Sequence, residues 1–188
     1  FKQHVNRKIK PTDRNGYGKP HARLYVPLVD PIHSADEDIE LPLDPYFLGV
    51  YLGDGWCDLK GRVSITKPDE FLFNTINDIV QQYGCTAIKS KYIDIKHCLS
   101  FRIASNDPEN KAPASNNDIA RKMIELGLNG KHSWEKFIPE VYMNSSFNQR
   151  LELIRGLMDT DGSQNKEMSC AEYTTTSEVL AKQVVELL

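Results

Sequence analysis

Two aspartates, Asp54 and Asp161, each close an apolar stretch and each precede a glycine. The stretches are Phe47-Leu48-Gly49-Val50-Tyr51-Leu52-Gly53-Asp54-Gly55 and Ile154-Arg155-Gly156-Leu157-Met158-Asp159-Thr160-Asp161-Gly162. Laid side by side without gaps, they share the glycine at the third position, the apolar pair after it and the closing Asp-Gly, and they stand 107 residues apart. One copy reads most simply as an Asp capping a turn before Gly. Two copies in register make a repeat. Gly49 and Gly53 are four apart, and Gly156 and Thr160 repeat that spacing, so two such helices can approach backbone to backbone. Close packing about a pseudo-twofold axis would bring Asp54 and Asp161 together at the helix ends whose dipoles disfavour negative charge. Two like charges there repel unless a cation neutralises them. The expectation is therefore a Mg²⁺ site made by Asp54 and Asp161, with Gly53 and Thr160 beside them. A metal so held lowers the pKa of a bound water.

The elements that must carry these residues follow from caps and periodicity. Asp44 and Pro45 supply an N-cap and a first-turn proline for a helix over 46–52, apolar nearly all round and so buried. A second helix over 147–158 is capped by Ser145 or Ser146. Between them, Val63 and Ile65 alternate with polar residues in a strand over 62–66. A helix over 69–83 carries Leu72, Phe73, Ile76, Ile79, Val80 and Tyr83 on one face. Gly84 ends that helix, and strands over 86–95 and 97–104 form a hairpin with Leu99, Phe101 and Ile103 buried. A turn at 105–108 and a helix over 119–126, stopped by Gly127, complete the cycle. Residues 168–175 then read as extended, and Ser177 caps a last helix with Val179, Leu180, Val184, Leu187 and Leu188 as its apolar set. The class is α+β.

Composition narrows the function classes. With 188 residues, 40% hydrophobic and 26% charged, the chain can build a core, and no apolar run approaches the roughly eighteen residues of a membrane span. We expect no membrane partner and a cytoplasmic location. Cys57, Cys85, Cys98 and Cys170 show no C-x-x-C pair, which argues against a zinc ribbon or a disulfide scaffold and for buried thiols in a reducing compartment. A net charge of −3 opposes a uniformly basic nucleic-acid binder, yet Lys2, Arg7, Lys8, Lys10, Arg14, Lys19 and Arg23 face a single acid, Asp13, in the first 23 residues. That arm could meet DNA or be a solvated linker. Residues 1–40 read as a loop-rich connector, 41–140 as a first repeat and 141–188 as the start of an incomplete second. The chain opens on Phe1, as an internal piece of a larger protein would.

Both nonapeptides resemble the LAGLIDADG signature of homing endonucleases. Leu41-Pro42-Leu43-Asp44-Pro45-Tyr46, Lys136-Phe137-Ile138-Pro139 and Tyr173-Thr174-Thr175-Thr176-Ser177 are similar to blocks of the DOD-type subgroup carried inside inteins. The resemblance implies αββαββα halves seated on double-stranded DNA, which Mg²⁺-bound carboxylates cut on both strands, in a monomer with two pseudo-symmetric halves inserted in a host protein. It also implies an active-site lysine at Lys136, stabilising charge on the scissile phosphate or positioning water; a surface role is the alternative. No motif supports Lys131. If the apolar strand residues face the core, then Arg62, Ser64, Thr66, Ser100 and Arg102 face outward and are the candidate DNA contacts, an ordinary solvated sheet face being the plainer alternative. No splicing Cys opens the chain and no His-Asn closes it, so splicing is not expected of these residues. Two other readings remain, a DNA-binding module without cleavage and an inert remnant of a decaying intein.

Overall fold

A computed structural model describes residues 37–66, 69–90, 100–107, 117–165 and 170–188. The basic arm and most of the connector lie outside them, as do Leu99 and Cys98. Asp44 accepts the Phe47 N–H through its carboxylate and starts α1 (Pro45–Asp54), whose Phe47 to Leu52 are all buried. Helix α1 runs on through Asp54 rather than ending in a turn at Gly53, because the Gly55 N–H still donates to the Tyr51 carbonyl. The aspartate is thus the last helical residue. Gly55 itself is extended and opens β1 (Gly55–Cys57), a three-residue strand hidden in sequence behind the Gly-Asp-Gly turn signal.

The first cycle continues with β2 (Val63–Thr66), α2 (Glu70–Gln81), β3 (Cys85–Lys89), β4 (Ser100–Ser105) and α3 (Asp118–Glu125). The strands form one antiparallel sheet in the order β1-β2-β4-β3. Asp69 caps α2 by accepting the Phe71 and Leu72 N–H groups, and Asn117 does the same for α3 with Ile119 and Ala120. Gly84 and Gly127 leave the two helices at φ +61° and +70°, the left-handed region where a side chain would be strained. A short α4 (Glu140–Met143) leads into α5 (Phe147–Asp161), whose cap is Ser146 rather than Ser145. Ser146 and Gln149 reciprocate, side chain to backbone, as a capping box. Then β5 (Gly162–Asn165), β6 (Cys170–Tyr173) and α6 (Glu178–Leu187) restate the opening α-β-β-α order.

Alternation places Val63, Ile65, Cys85, Ala87, Phe101 and Ile103 in the core, with Leu72, Ile76 and Val80 of α2 packed in the same cluster. Phe73 meets Phe101 edge to face at 5.2 Å. Burying each such side chain is worth roughly 1.5–3 kcal/mol. In α6 only Leu180 and Val184 are fully buried, while Val179 and Leu188, expected on its inner face, are exposed. Cys57 and Cys85 are buried free thiols, whereas Cys170, expected to be buried, is only partly so. No helix among the described residues is long and apolar enough to cross a membrane.

Candidate functional site

Helices α1 and α5 meet through their glycines. A Cβ built on Gly49 would overlap the Leu153 carbonyl and lie 2.9 Å from the Leu157 nitrogen and 3.0 Å from the Gly156 Cα. One built on Gly156 would overlap the Tyr46 carbonyl and lie 2.7 Å from the Val50 nitrogen and 3.0 Å from the Gly49 Cα. The neighbours correspond pair by pair at the 107-residue offset between the repeats, Tyr46 with Leu153 and Val50 with Leu157. This is a local pseudo-twofold contact, and no side chain larger than hydrogen fits on its axis. One turn further along, Gly53 faces Thr160, where a Cβ would strike the threonine hydroxyl.

The carboxylates follow from that contact. Asp54 and Asp161 end their helices side by side, with Asp161 Oδ2 placed 3.4 Å from where a Gly53 Cβ would be. Both act on the same third group, the ammonium of Lys136. Thr160 Oγ1 turns back onto its own helix and donates toward the carbonyls of Gly156 (3.1 Å) and Leu157 (2.9 Å). The Asp161 carbonyl accepts the Thr174 N–H at 3.3 Å. Beside it, burial pushes the Tyr173 phenol up to about 12, and the Asp161 charge adds to the rise.

Lys136 is the residue whose environment the sequence conceals most. It is 3% exposed. Its Nζ donates to the carbonyls of Tyr51 (3.0 Å), Leu52 (3.1 Å), Gly53 (3.2 Å) and Gly55 (2.7 Å), at the end of α1 and the start of β1. It also sits 5.2 Å from the centre of the Tyr51 ring. Burial pulls its pKa down to about 8, and the Asp161 and Asp54 charges pull it back up. Four acceptors converging on one nitrogen fit the charged ammonium, with three protons to give, rather than the neutral amine. A lysine on the surface was the alternative in sequence; the structure removes it.

The backbone of Lys136 is held from the other repeat. Ser177 Oγ donates to its carbonyl at 2.7 Å while also capping α6. Gln183 of α6 accepts the Ile138 N–H at 2.7 Å and donates to the Ile138 carbonyl at 2.8 Å. Sequence reading gave Ser177 a capping role only and passed over Gln183, since a polar residue in the middle of a helix carries no signal of its own.

The five outward sheet residues fall where alternation puts them. Arg62, Thr66 and Arg102 are exposed and Ser64 and Ser100 half-buried, on the face away from the core. Register sets Ser64 opposite Arg102 and Thr66 opposite Ser100. The Arg62 guanidinium is paired with Asp58 at 2.6 Å. Among the described residues no cluster of three or more His, Cys, Asp or Glu could hold a metal ion, so the donor set here is two carboxylates and nearby backbone carbonyls.

Comparison with known proteins agrees with part of this. The chain is 30% identical over 149 residues to the protein RecA of Mycobacterium tuberculosis and of Mycobacterium bovis, an alignment that takes in 75% of this chain and 17% of theirs. The chain thus spans about a sixth of the length of these relatives. A solved structure of I-DmoI, in complex with its target DNA and in the presence of manganese, is similar at 16% identity and a TM-score of 0.49, covering 78% of this chain and 74% of that one. That likeness is too distant to carry an argument about this chain. Residues 148–188, which hold α5, β5, β6 and α6, match the family described as the LAGLIDADG-like domain.

Proposed function

We propose that this chain belongs to a LAGLIDADG homing endonuclease of the DOD type, carried in an intein and cutting both strands of a DNA target. The observation that carries the reading is the reciprocal Gly49–Gly156 contact, which delivers Asp54 and Asp161 to one place from two copies of one motif. The match to RecA over a sixth of its length agrees with an element inserted in a host protein.

The two carboxylates suit a hard divalent cation such as Mg²⁺, with the Gly53 carbonyl beside them and the hydroxyl of Thr160 engaged by its own helix. When bound, such an ion lowers the pKa of a water and neutralises charge on the phosphate oxygens. The chain's own part is placement. The glycine contact fixes the two helix ends, and Lys136 holds the last turn of α1 and the first residue of β1 as one unit, so that the backbone carrying Asp54 is held in place. Lys136 therefore serves by positioning. Its ammonium is occupied by four carbonyls and lies too deep to meet a phosphate. Arg62, Ser64, Thr66, Ser100 and Arg102 form the face laid in the major groove, and the protein acts as a monomer with two pseudo-symmetric halves.

The test is cleavage of a plasmid carrying the uninterrupted gene of the host protein by the complete reading frame, with Mg²⁺ and with chelator, beside the Asp54→Asn and Asp161→Asn double variant. Metal-dependent cutting by the unmutated protein alone supports the reading. Tight binding without cutting by either protein would replace it with the DNA-binding module.

A further inference from the structure

Trp56, His132 and Trp134 form a stack of three rings on the surface. His132 lies against Trp134 with centroids 4.7 Å apart and 9° between the planes, and 5.3 Å from Trp56 at 36°. Trp56 is 39% and Trp134 62% exposed, an unusual amount of aromatic surface left in water. The stack is fastened from both sides. The Gly130 N–H donates to the Cys57 carbonyl at 2.6 Å, tying the loop before His132 to β1, and Glu135 accepts the His132 N–H at 3.0 Å. The backbone that carries the rings is thus tied down before anything binds them.

Position says what they face. Trp56 leaves β1 on the outward side of the sheet, in the cross-strand row Trp56, Ser64, Arg102. It is two residues past Asp54, so the two Cα atoms are at most about 7 Å apart. The nearby acids are engaged: Asp58 by the Arg62 guanidinium and the N–H groups of Lys60 and Arg62, and Glu135 by His132. Polar and cationic groups on the sheet are thus followed by an aromatic surface close to the carboxylates.

We propose that the Trp56–His132–Trp134 cluster is a DNA-contact surface whose exposed tryptophan rings pack on sugars and base edges next to the cut site, contributing affinity that does not come from phosphate contacts. It rests on the reading of the chain as a DNA-binding protein and adds a second kind of contact to the polar sheet face. Phosphate contacts give binding a salt dependence, whereas stacking on aromatic rings does not.

The experiment is binding of a labelled mixed-sequence duplex to the whole chain across a series of salt concentrations. Trp134→Ala is expected to weaken binding about tenfold at every salt concentration, leaving the slope of log affinity against log salt unchanged. Arg102→Gln is expected to reduce the slope by about one. Trp134→Phe should bind nearly as the unmutated chain does. Trp56 and Trp134 are the chain's two tryptophans, so duplex should also quench the intrinsic fluorescence of the unmutated protein. That readout decides the matter if Trp134→Ala fails to fold, absence of quenching then counting against the proposal. Unchanged affinity in a folded Trp134→Ala, or a loss accompanied by a changed slope, overturns the inference and leaves DNA binding standing. A chain that binds no duplex at any salt overturns both.

Discussion

Helices α1 and α5 are two copies of one motif, yet they end differently. The last turn of α1 is buried and its carbonyls are collected by Lys136; α5 carries Glu152, Arg155 and Asp159 toward solvent, and Thr160 closes its own last turn. Both must bring an aspartate to the axis at the helix end that repels it. One copy recruits a cation from 81 residues further along the chain, and the other recruits a hydroxyl four residues from the carbonyl it meets. The shared axis therefore dictates the glycines and aspartates, while each end is stabilised by whatever its surroundings supply.

The largest test of equivalence is catalytic. Asp54→Asn and Asp161→Asn, made singly, should each lower cleavage by about a thousandfold, since charge held by a metal site is worth several kcal/mol; a large loss from one and a small loss from the other would mean the halves do not share the chemistry. Next, Lys136→Met should destabilise the fold by about 3 kcal/mol in denaturant unfolding, because it strands carbonyls at the end of α1 and the start of β1 and none in α5. Gly49→Ala and Gly156→Ala come third, at about 2 kcal/mol each, and should be nearly equal because the backbone atoms they strike correspond. A twofold difference between them would show that one helix yields more readily.

Gly53→Ala should also cost about 2 kcal/mol, since the new Cβ strikes the Thr160 hydroxyl and the Thr160 Cβ, which its backbone holds in place. Thr160→Gly in the same chain should recover much of that loss in a double-mutant cycle. Smallest of all, Tyr46→Phe removes the hydrogen bond from the Tyr46 hydroxyl to Asp159 Oδ2, 2.7 Å long and exposed, and should shift stability by about 0.5 kcal/mol or less.

Much of the fold was legible in sequence because local rules agreed with the final packing. Asp44 and Ser177 cap the helices they were expected to cap, and alternation assigned Val63, Ile65, Phe101 and Ile103 to the core. The repeated glycine spacing announced a close helix pair for the same reason: a missing side chain has few other uses in mid-helix. What escaped was set by distant neighbours. Lys136 differs in no local respect from a surface lysine, and its burial depends on carbonyls more than 80 residues away. Strand β1 is too short for alternation to register, which hid both the strand and the outward aim of Trp56. Val179 was assigned to the inner face of α6, where the described surroundings cover only Leu180 and Val184 fully.

The separation between Lys136 and the carbonyls it collects also has a schedule in it. During synthesis at about 5–20 residues per second, the end of α1 waits roughly 4–16 s for the lysine to be made. Ser177 and Gln183, which hold that lysine's segment, are made later still. The contacts that fix the end of α1 can thus form only after the residues of the four-stranded sheet have been made.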